Sequence, residues 1–259
     1  MADESGAPPR RRRRRVVRIV GIAVAGVLVL AIVGGLVWAG TPYRAEAAGL
    51  AAAEADARIT VADEGDVVVL SPAAEASTTL EGQGIVFFAG ARVDAAAYVA
   101  TFRDVAAAGA TVVLVRPILN LAIVELRPLS TFTDAVPGVE SWSVGGHSMG
   151  GVRACTYAED DAVQALVLLA SYCSLGDLSG RDDLTVLSIT GSRDGVLRQD
   201  AADEARDLLP DDAVFVELEG VNHAQFGDYG AQPGDDEATV AGDEAHAEIA
   251  ATIVDALDG

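Results

Sequence analysis

Apolar runs of strand length alternate with helix-like stretches along most of the chain. The short runs are rich in Val, Ile, Leu and Phe and lack polar alternation, which indicates strands buried on both faces. The stretches between them carry apolar residues at helical spacing and predict helices that cover the sheet. The pattern predicts strands at 67–70, 85–88, 111–115, 142–144, 165–170, 184–190 and 214–218, and helices at 95–107, 152–158, 197–209 and 239–257. It therefore predicts an α/β fold with a mostly parallel, doubly wound sheet.

The N-terminal region has a different pattern. Residues 19–39 form a run of 21 uncharged residues, preceded by six arginines at 10–15 and by Arg18. A helix of that length spans roughly 30 Å and matches a bilayer core. A cleaved signal peptide is the rival interpretation, but its apolar region is normally only about 7 to 15 residues long. We therefore expect an uncleaved anchor.

This anchor gives the expected organisation of the chain. Residues 1–18 would be a basic cytoplasmic tail, 19–39 a transmembrane anchor, 40–58 an alanine-rich stem and 59–259 one α/β domain. Because arginines flanking a span remain in the cytoplasm, the domain would lie outside it. The expected location is the cell membrane, with a single pass.

The charge balance limits the possible partners. An arginine run can bind nucleic acid, but basic charge beside a spanning segment is an ordinary topology signal. Past Arg18, 37 acidic residues stand against 11 arginines, and the chain has no lysine. This negative surface would repel nucleic acid. We expect a membrane contact through the N-terminal helix and no nucleic-acid partner.

The two cysteines, Cys155 and Cys173, leave two alternatives open. In an exported domain they can form a disulfide, or they can be two buried, inert thiols. The sequence contains no Cys-x-x-Cys pair and no histidine cluster with metal-ligand spacing. We therefore expect no metal and no organic cofactor.

The sequence Gly146-His147-Ser148-Met149-Gly150 joins a predicted strand to a predicted helix. A G-x-S-x-G turn of this kind holds its serine in strained backbone geometry with the hydroxyl exposed. The glycines are needed because a Cβ at either position would meet the neighbouring strand or helix. The helix N-terminus beside Ser148 favours developing negative charge. The pattern predicts a serine nucleophile for acyl transfer.

Two polar residues follow later strand ends. Asp194 comes directly after the strand predicted at 184–190, and His223 comes after the strand at 214–218. Taken alone, Asp194 is a common turn residue before glycine, and an isolated histidine is more often packed or capping. Because sites in such sheets form at the carboxyl ends of strands, the order Ser148, Asp194, His223 indicates nucleophile, acid and base.

The other two histidines fit the base role less well. His147 adjoins the serine, so we expect its side chain to point away from the hydroxyl. His246 lies in the acidic C-terminal helix, and we expect it to be solvated.

With these residues in place, the chain resembles the α/β-hydrolase superfamily, and more narrowly a small lidless branch, the family 5 type related to dienelactone hydrolases. The likeness covers roughly residues 67–257. It rests on the serine turn and on motifs at 88–94 with Tyr98, 117–121, 168–172, 191–195 and 222–227. Dienelactone hydrolases have a cysteine where this chain has Ser148, so their substrate does not transfer.

The residues and the resemblance together imply an extracytoplasmic serine hydrolase of the carboxylesterase type. Ser148 would attack the acyl carbonyl, His223 would take its proton and Asp194 would orient the imidazole. The oxyanion would bind the backbone N–H of Met149 and a second N–H, from Ala91 or its neighbour Gly90. Arg92, beside that loop, is a candidate for binding a carboxylate or for a surface salt bridge.

The expected substrate is a small or surface-exposed ester. Residues 171–183, where related enzymes often insert a cap, are only 13 residues long, too few for a helical lid. Tyr172 and Leu175 would line the mouth, and residues 118–133 would form another wall. A peptidase or haloperoxidase-like activity on the same triad remains open, and so do two other classes of function. One is a cell-envelope acyltransferase with the same triad, and the other is a noncatalytic binding module.

Overall fold

The computed structural model describes residues 10–259, except for the side chains of residues 10–13 and 16. The first nine residues of the predicted basic tail therefore lie outside the described residues. The chain forms two compact units, with the boundary between Thr41 and Pro42.

In its described residues, from 10 to 41, the first unit contains one helix, α1 (Arg10–Ala39). Its part from Val17 to Ala39 has a mean hydropathy of 2.8, and the side chains described there are almost all exposed. Length and composition are sufficient for this helix to cross a membrane, although a signal sequence has the same properties.

The second unit is an eight-stranded sheet with helices. Its strands are β1 (Ile59–Asp63), β2 (Val67–Pro72), β3 (Gln83–Phe88), β4 (Thr111–Val115), β5 (Ser141–His147), β6 (Val163–Leu169), β7 (Thr185–Gly191) and β8 (Val214–Leu218). Its α-helices are α2 (Ala47–Glu54), α3 (Val99–Ala107), α4 (Ser130–Thr133), α5 (Met149–Tyr157), α6 (Gln199–Glu204) and α7 (Gly242–Asp258).

The strands lie in the order β1-β2-β4-β3-β5-β6-β7-β8. The pairs β1–β2 and β2–β4 are antiparallel, whereas all pairs from β4 through β3 to β8 are parallel. The prediction of a mostly parallel α/β sheet is confirmed. Strand β8 forms one edge of the sheet, and its first residues, Val214 and Phe215, are exposed.

Alternate residues of the central strands enter two different cores. In β3, Ile85 and Phe87 pack with α3 and α7, whereas Val86 and Phe88 pack on the other face with α5. Successive side chains of a strand point to opposite faces, so a strand with a core on each side must be apolar throughout. This explains why the strands are continuous apolar runs in the sequence.

The segment that we predicted as a stem has regular structure of its own. Residues 47–54 form α2, in which Ala53 is fully buried, and α2 packs on α3. The structure therefore places residues 42–58 within the second unit. Alanine-rich composition did not reveal this packing because alanine fits both an exposed helix and a close helix–helix contact.

All four helices predicted in the domain differ from their predicted bounds. Helix α3 is preceded by a separate 3-10 turn at Ala95–Tyr98, and α7 begins at Gly242, three residues later than predicted. Helix α5 begins at Met149, three residues earlier than predicted, because Gly150 and Gly151 are helical. The helix predicted at 197–209 consists of α6 and a separate 3-10 turn at Ala205–Leu208.

Cys155 and Cys173 form a disulfide, which decides between the two alternatives left open by the sequence. The bond joins α5 to the loop that follows β6. It therefore fixes the helix behind Ser148 to a segment that also contains Tyr172.

We expect the double variant Cys155→Ala/Cys173→Ala to unfold at a lower temperature than the parent. The cysteines are 18 residues apart, and closing a loop of that size stabilises a chain by about 3 kcal/mol, or roughly 6 to 12 °C in Tm. Thermal unfolding of the detergent-solubilised chain measures the change. The reduced parent should match the double variant, and two titratable thiols in the native parent would contradict the assignment.

Candidate active site

The three predicted site residues all follow parallel strands. Ser148 comes after β5, Asp194 after β7 and His223 after β8. Because β5, β6, β7 and β8 run parallel, their carboxyl ends lie at one edge of the sheet. The fold thus brings these residues, which are far apart in sequence, to the same edge.

Ser148 occupies the tight turn between β5 and α5. Its backbone angles are φ 52° and ψ −122°, outside the regions favoured by residues with a side chain. A Cβ at Gly146 would overlap the backbone of Gly150, and one at Gly150 would overlap the carbonyl of Phe88. Glycine at both positions therefore allows the helix to begin directly against the strands, and this close packing holds the strained serine.

Hydrogen bonds fix the backbone of this turn. The Ser148 N–H donates to the carbonyl of Leu169 at 3.0 Å, and the Ser148 carbonyl accepts from the Ser171 hydroxyl at 2.7 Å. These contacts hold the serine through the last residue of β6 and the loop that follows it.

His223 and Asp194 are hydrogen-bonded to each other. His223 Nδ1 and Asp194 Oδ2 are 2.8 Å apart, and their side chains are only 2% and 3% exposed. The other carboxylate oxygen, Asp194 Oδ1, accepts from the backbone N–H groups of Val196 and Leu197 at 2.8 and 2.7 Å. With Nδ1–H donating to the carboxylate, Nε2 is left as the proton acceptor of a neutral imidazole.

Asp235 is a further acidic residue at the site, and sequence reasoning missed it. Its carboxylate accepts from the backbone N–H groups of Gly195, His223 and Ala224 at 3.1, 3.2 and 2.9 Å. It therefore joins the loop of Asp194 to the loop of His223. Its only sequence signal is the turn-like Pro233-Gly234-Asp235, which resembles an ordinary acidic loop.

Ser148 and His223 line the same cleft. The cleft has a volume of about 240 Å³, and its walls include Met149, Tyr172 and Leu197. Among the described residues, no hydrogen bond joins the Ser148 hydroxyl to the His223 ring. Such bonds are often long or poorly aligned in unliganded enzymes and tighten when substrate binds.

The predicted oxyanion donors are not equivalent. Met149 is the first residue of α5, so its N–H has no acceptor within the helix. The Gly90 N–H donates to the Tyr98 hydroxyl at 2.9 Å, which corrects its assignment as an available donor. Ala91 remains, because its N–H has no hydrogen-bond acceptor within the described part of the chain.

His147 lies next to His223. Its ring centroid is 4.5 Å from that of His223, and its Nδ1 is 2.9 Å from the Tyr98 hydroxyl. Complete burial lowers the pKa of His147 well below its usual value, and a positive charge on His223 would lower that pKa further. His147 is therefore neutral, and a chain of contacts runs from Gly90 through Tyr98 and His147 to His223.

One other expectation differs from the structure. His246 is 9% exposed and not solvated, because its face of α7 packs onto the domain. Burial lowers its pKa below the usual value. The guanidinium of Arg92 stacks over the ring of Tyr43 at 5.2 Å, an interaction that we did not expect from the sequence.

No group of three or more His, Cys, Asp or Glu side chains is arranged to bind a metal among the residues that the structure describes.

A mostly parallel sheet with a strained serine between strand and helix, and with an Asp–His pair at the same edge, defines the α/β-hydrolase fold. The chain belongs to the alpha/beta hydrolase family, whose profile matches residues 84–247. Membership makes it a hydrolase by class.

Two solved structures illustrate the likeness. Acyl-protein thioesterase 2 from Zea mays has 13% sequence identity and a TM-score of 0.52, with 74% of this chain and 99% of that chain covered. Est1E from Butyrivibrio proteoclasticus has 13% identity and a TM-score of 0.46, with 78% and 99% covered. Likeness at this identity shows the fold alone. No curated protein matches the chain by sequence.

We expect Tyr98→Phe to destabilise the domain by about 1 to 3 kcal/mol, because it leaves Gly90 N–H and His147 Nδ1 buried without a partner. Chemical unfolding of the detergent-solubilised chain measures this change.

Tyr229→Phe is the matched control. The Tyr229 hydroxyl donates to the side-chain amide oxygen of the half-exposed Gln232. After the change, water can donate to that oxygen instead. The control should cost less than about 1 kcal/mol, and equal losses in the two variants would contradict the assigned role of Tyr98.

Proposed function

We propose that this chain is a membrane-anchored serine hydrolase that cleaves carboxylic esters through an acyl-enzyme on Ser148. The observation that carries the proposal is the buried Asp194–His223 hydrogen bond of 2.8 Å, with His223 and Ser148 in the walls of one cleft. A packed, noncatalytic histidine would have no need of a buried carboxylate beside the strained serine turn.

In the proposed first step, the Ser148 hydroxyl attacks the ester carbonyl and passes its proton to Nε2 of His223. Asp194 holds the ring through Nδ1 and stabilises the imidazolium that forms. The negative oxygen of the tetrahedral intermediate is bound by the N–H groups of Met149 and Ala91. The intermediate collapses as His223 returns the proton to the departing alcohol.

In the second step, water attacks the acyl-enzyme with His223 again as base, and Ser148 is regenerated. Neutral His147 favours this cycle electrostatically. A second charged imidazole only 4.5 Å from His223 would oppose the imidazolium that each step requires.

The cleft supports an ester whose acyl part is small or enters from the surface. Its volume is about 240 Å³, and the short connection from Ser171 to Asp183 contains no helix. An alcohol acceptor could replace water on the same acyl-enzyme, so product analysis with and without an added alcohol separates a hydrolase from an acyltransferase.

Replacing Ser148 with alanine should lower kcat/KM on an activated ester by about 10⁴-fold or more, because the members of a triad act as a unit. It should also abolish covalent labelling by a fluorophosphonate probe. The control is Ser174→Ala, which changes an exposed serine in a nearby loop and should retain both properties. Full activity or labelling in the Ser148 variant would refute the proposed nucleophile.

The proposed location is a cell membrane, with the domain outside the cytoplasm. Support comes from the apolar helix Val17–Ala39, whose described side chains are largely exposed, and from the disulfide, which is typical of oxidising compartments. A helix that is apolar all round is stable in lipid and unfavourable in water.

We expect the full chain to stay in carbonate-washed membranes, with its intact mass measured by mass spectrometry. Protease added outside intact cells should digest the domain. A released chain lacking the residues before about Ala45–Ala47 would instead identify a cleaved signal peptide.

A further inference from the structure

Five apolar residues after β4 have exposed side chains, and we call them the apolar rim. Their exposed fractions are 45% for Ile118, 48% for Leu119, 40% for Ile123, 39% for Val124 and 76% for Leu126. Single exposed apolar residues are normal on a protein surface, but several within nine residues of one loop indicate an interaction site.

The loop that carries the apolar rim is held in place. The buried carboxylate of Glu125 is ion-paired with Arg127 at 2.7 Å and accepts from the N–H of Ile118 at 3.3 Å. The rim therefore belongs to a loop whose backbone is held by Glu125, and its apolar side chains are exposed to solvent.

The apolar rim adjoins the proposed oxyanion loop. Strand β4 runs parallel to β3, so the segments after both strands emerge at the catalytic edge of the sheet. Arg92 N–H, one residue after the oxyanion donor Ala91, donates to the carbonyl of Asn120 at 2.7 Å. A surface that bound the rim would thus lie beside the mouth of the cleft.

The proposed oxyanion loop is also hydrogen-bonded to the segment that follows the proposed anchor in the sequence. Tyr43 N–H donates to the carbonyl of Arg92 at 2.6 Å, and Asp94 N–H donates to the carbonyl of Tyr43 at 2.9 Å. Only residues 40–42 separate Tyr43 from the last residue of the apolar helix, Ala39. Four extended peptide steps cover at most about 14 Å.

We infer that the apolar rim docks on the lipid bilayer, and that the cleft accepts acyl esters of lipids residing in that bilayer. The inference rests on the proposed anchor and esterase function, and it narrows the substrate to one class. The bilayer is the apolar partner that the short tether keeps within reach of the rim. A second copy of the chain is the competing occupant.

The first experiment measures docking of the apolar rim on the bilayer and does not depend on catalysis. Both native cysteines form the disulfide, so the variant Leu126→Cys can be labelled specifically at position 126 with an environment-sensitive nitrobenzoxadiazole dye. The full chain is reconstituted in phosphatidylcholine vesicles, chosen because the acidic domain would be repelled by anionic lipid. Val214→Cys is the matched control, since Val214 is 51% exposed at the opposite end of the strands.

We expect dye at position 126 to emit at shorter wavelength and to be quenched by lipids that carry nitroxide on their acyl chains. Dye at position 214 should show neither effect. The signal at position 126 should persist at a low ratio of protein to lipid. A signal that disappears on such dilution would identify a second copy as the occupant, and no signal at position 126 would refute docking.

The second experiment reads substrate class. For the full chain in the same vesicles, rates are compared for a long-chain diacylglycerol in the bilayer and for a water-soluble short-chain ester. Leu126→Asn should lower the ratio of the lipid rate to the soluble rate by roughly tenfold, since burying a leucine side chain favours an equilibrium by about that factor. Val214→Asn should leave the ratio unchanged.

The outcomes separate the two proposals. If the parent hydrolyses neither ester and is not labelled by the fluorophosphonate probe, the proposed esterase function is refuted. The dye result at position 126 still decides whether the rim docks on the bilayer. A parent that hydrolyses the soluble ester, with a rate ratio that Leu126→Asn does not change, overturns the inferred lipid substrate.

Discussion

The structure depends on one close approach of backbone to backbone, between the start of α5 and the strands β3 and β5. Gly146 and Gly150 permit it because neither carries a Cβ that would strike the opposing main chain. The contact fixes the position and strain of Ser148 and points the N-terminus of α5 at the cleft. Close packing alone therefore fixes the serine turn, whatever chemistry takes place at Ser148.

Hydrogen bonds to buried polar groups organise the other loops at this edge of the sheet. Asp194 accepts from two backbone N–H groups and from His223, while Asp235 ties the two loops that carry them. Buried carboxylates are costly unless they are fully hydrogen-bonded, so these bonds position the pair and also offset its desolvation. The His223 ring is therefore oriented by backbone geometry as much as by Asp194.

The sequence predicts those parts of the molecule that local patterns determine. Continuous apolar strands predict a sheet with a core on each face, and the serine between glycines predicts the turn after β5. Asp235 and the contact of Tyr98 with His147 depend on pairings across the fold that no local pattern records. The burial of His246 was missed for the same reason, since an acidic helix can still pack one face onto the domain. The roles of Ser148, Asp194 and His223 in catalysis remain predictions.

Strand β8 leaves one side of the sheet without a neighbouring strand, and its first residues are apolar and exposed. Open edges of this kind can pair with a second sheet. Tethering to a membrane would raise the local concentration of such edges, because the tethered chains would diffuse only in the plane of the membrane. The excess of acidic residues past Arg18 supplies mutual repulsion between the domains, with Glu217 in the edge strand itself. If the domains were tethered to one membrane, their acidic composition would oppose the joining of these edges into an intermolecular sheet.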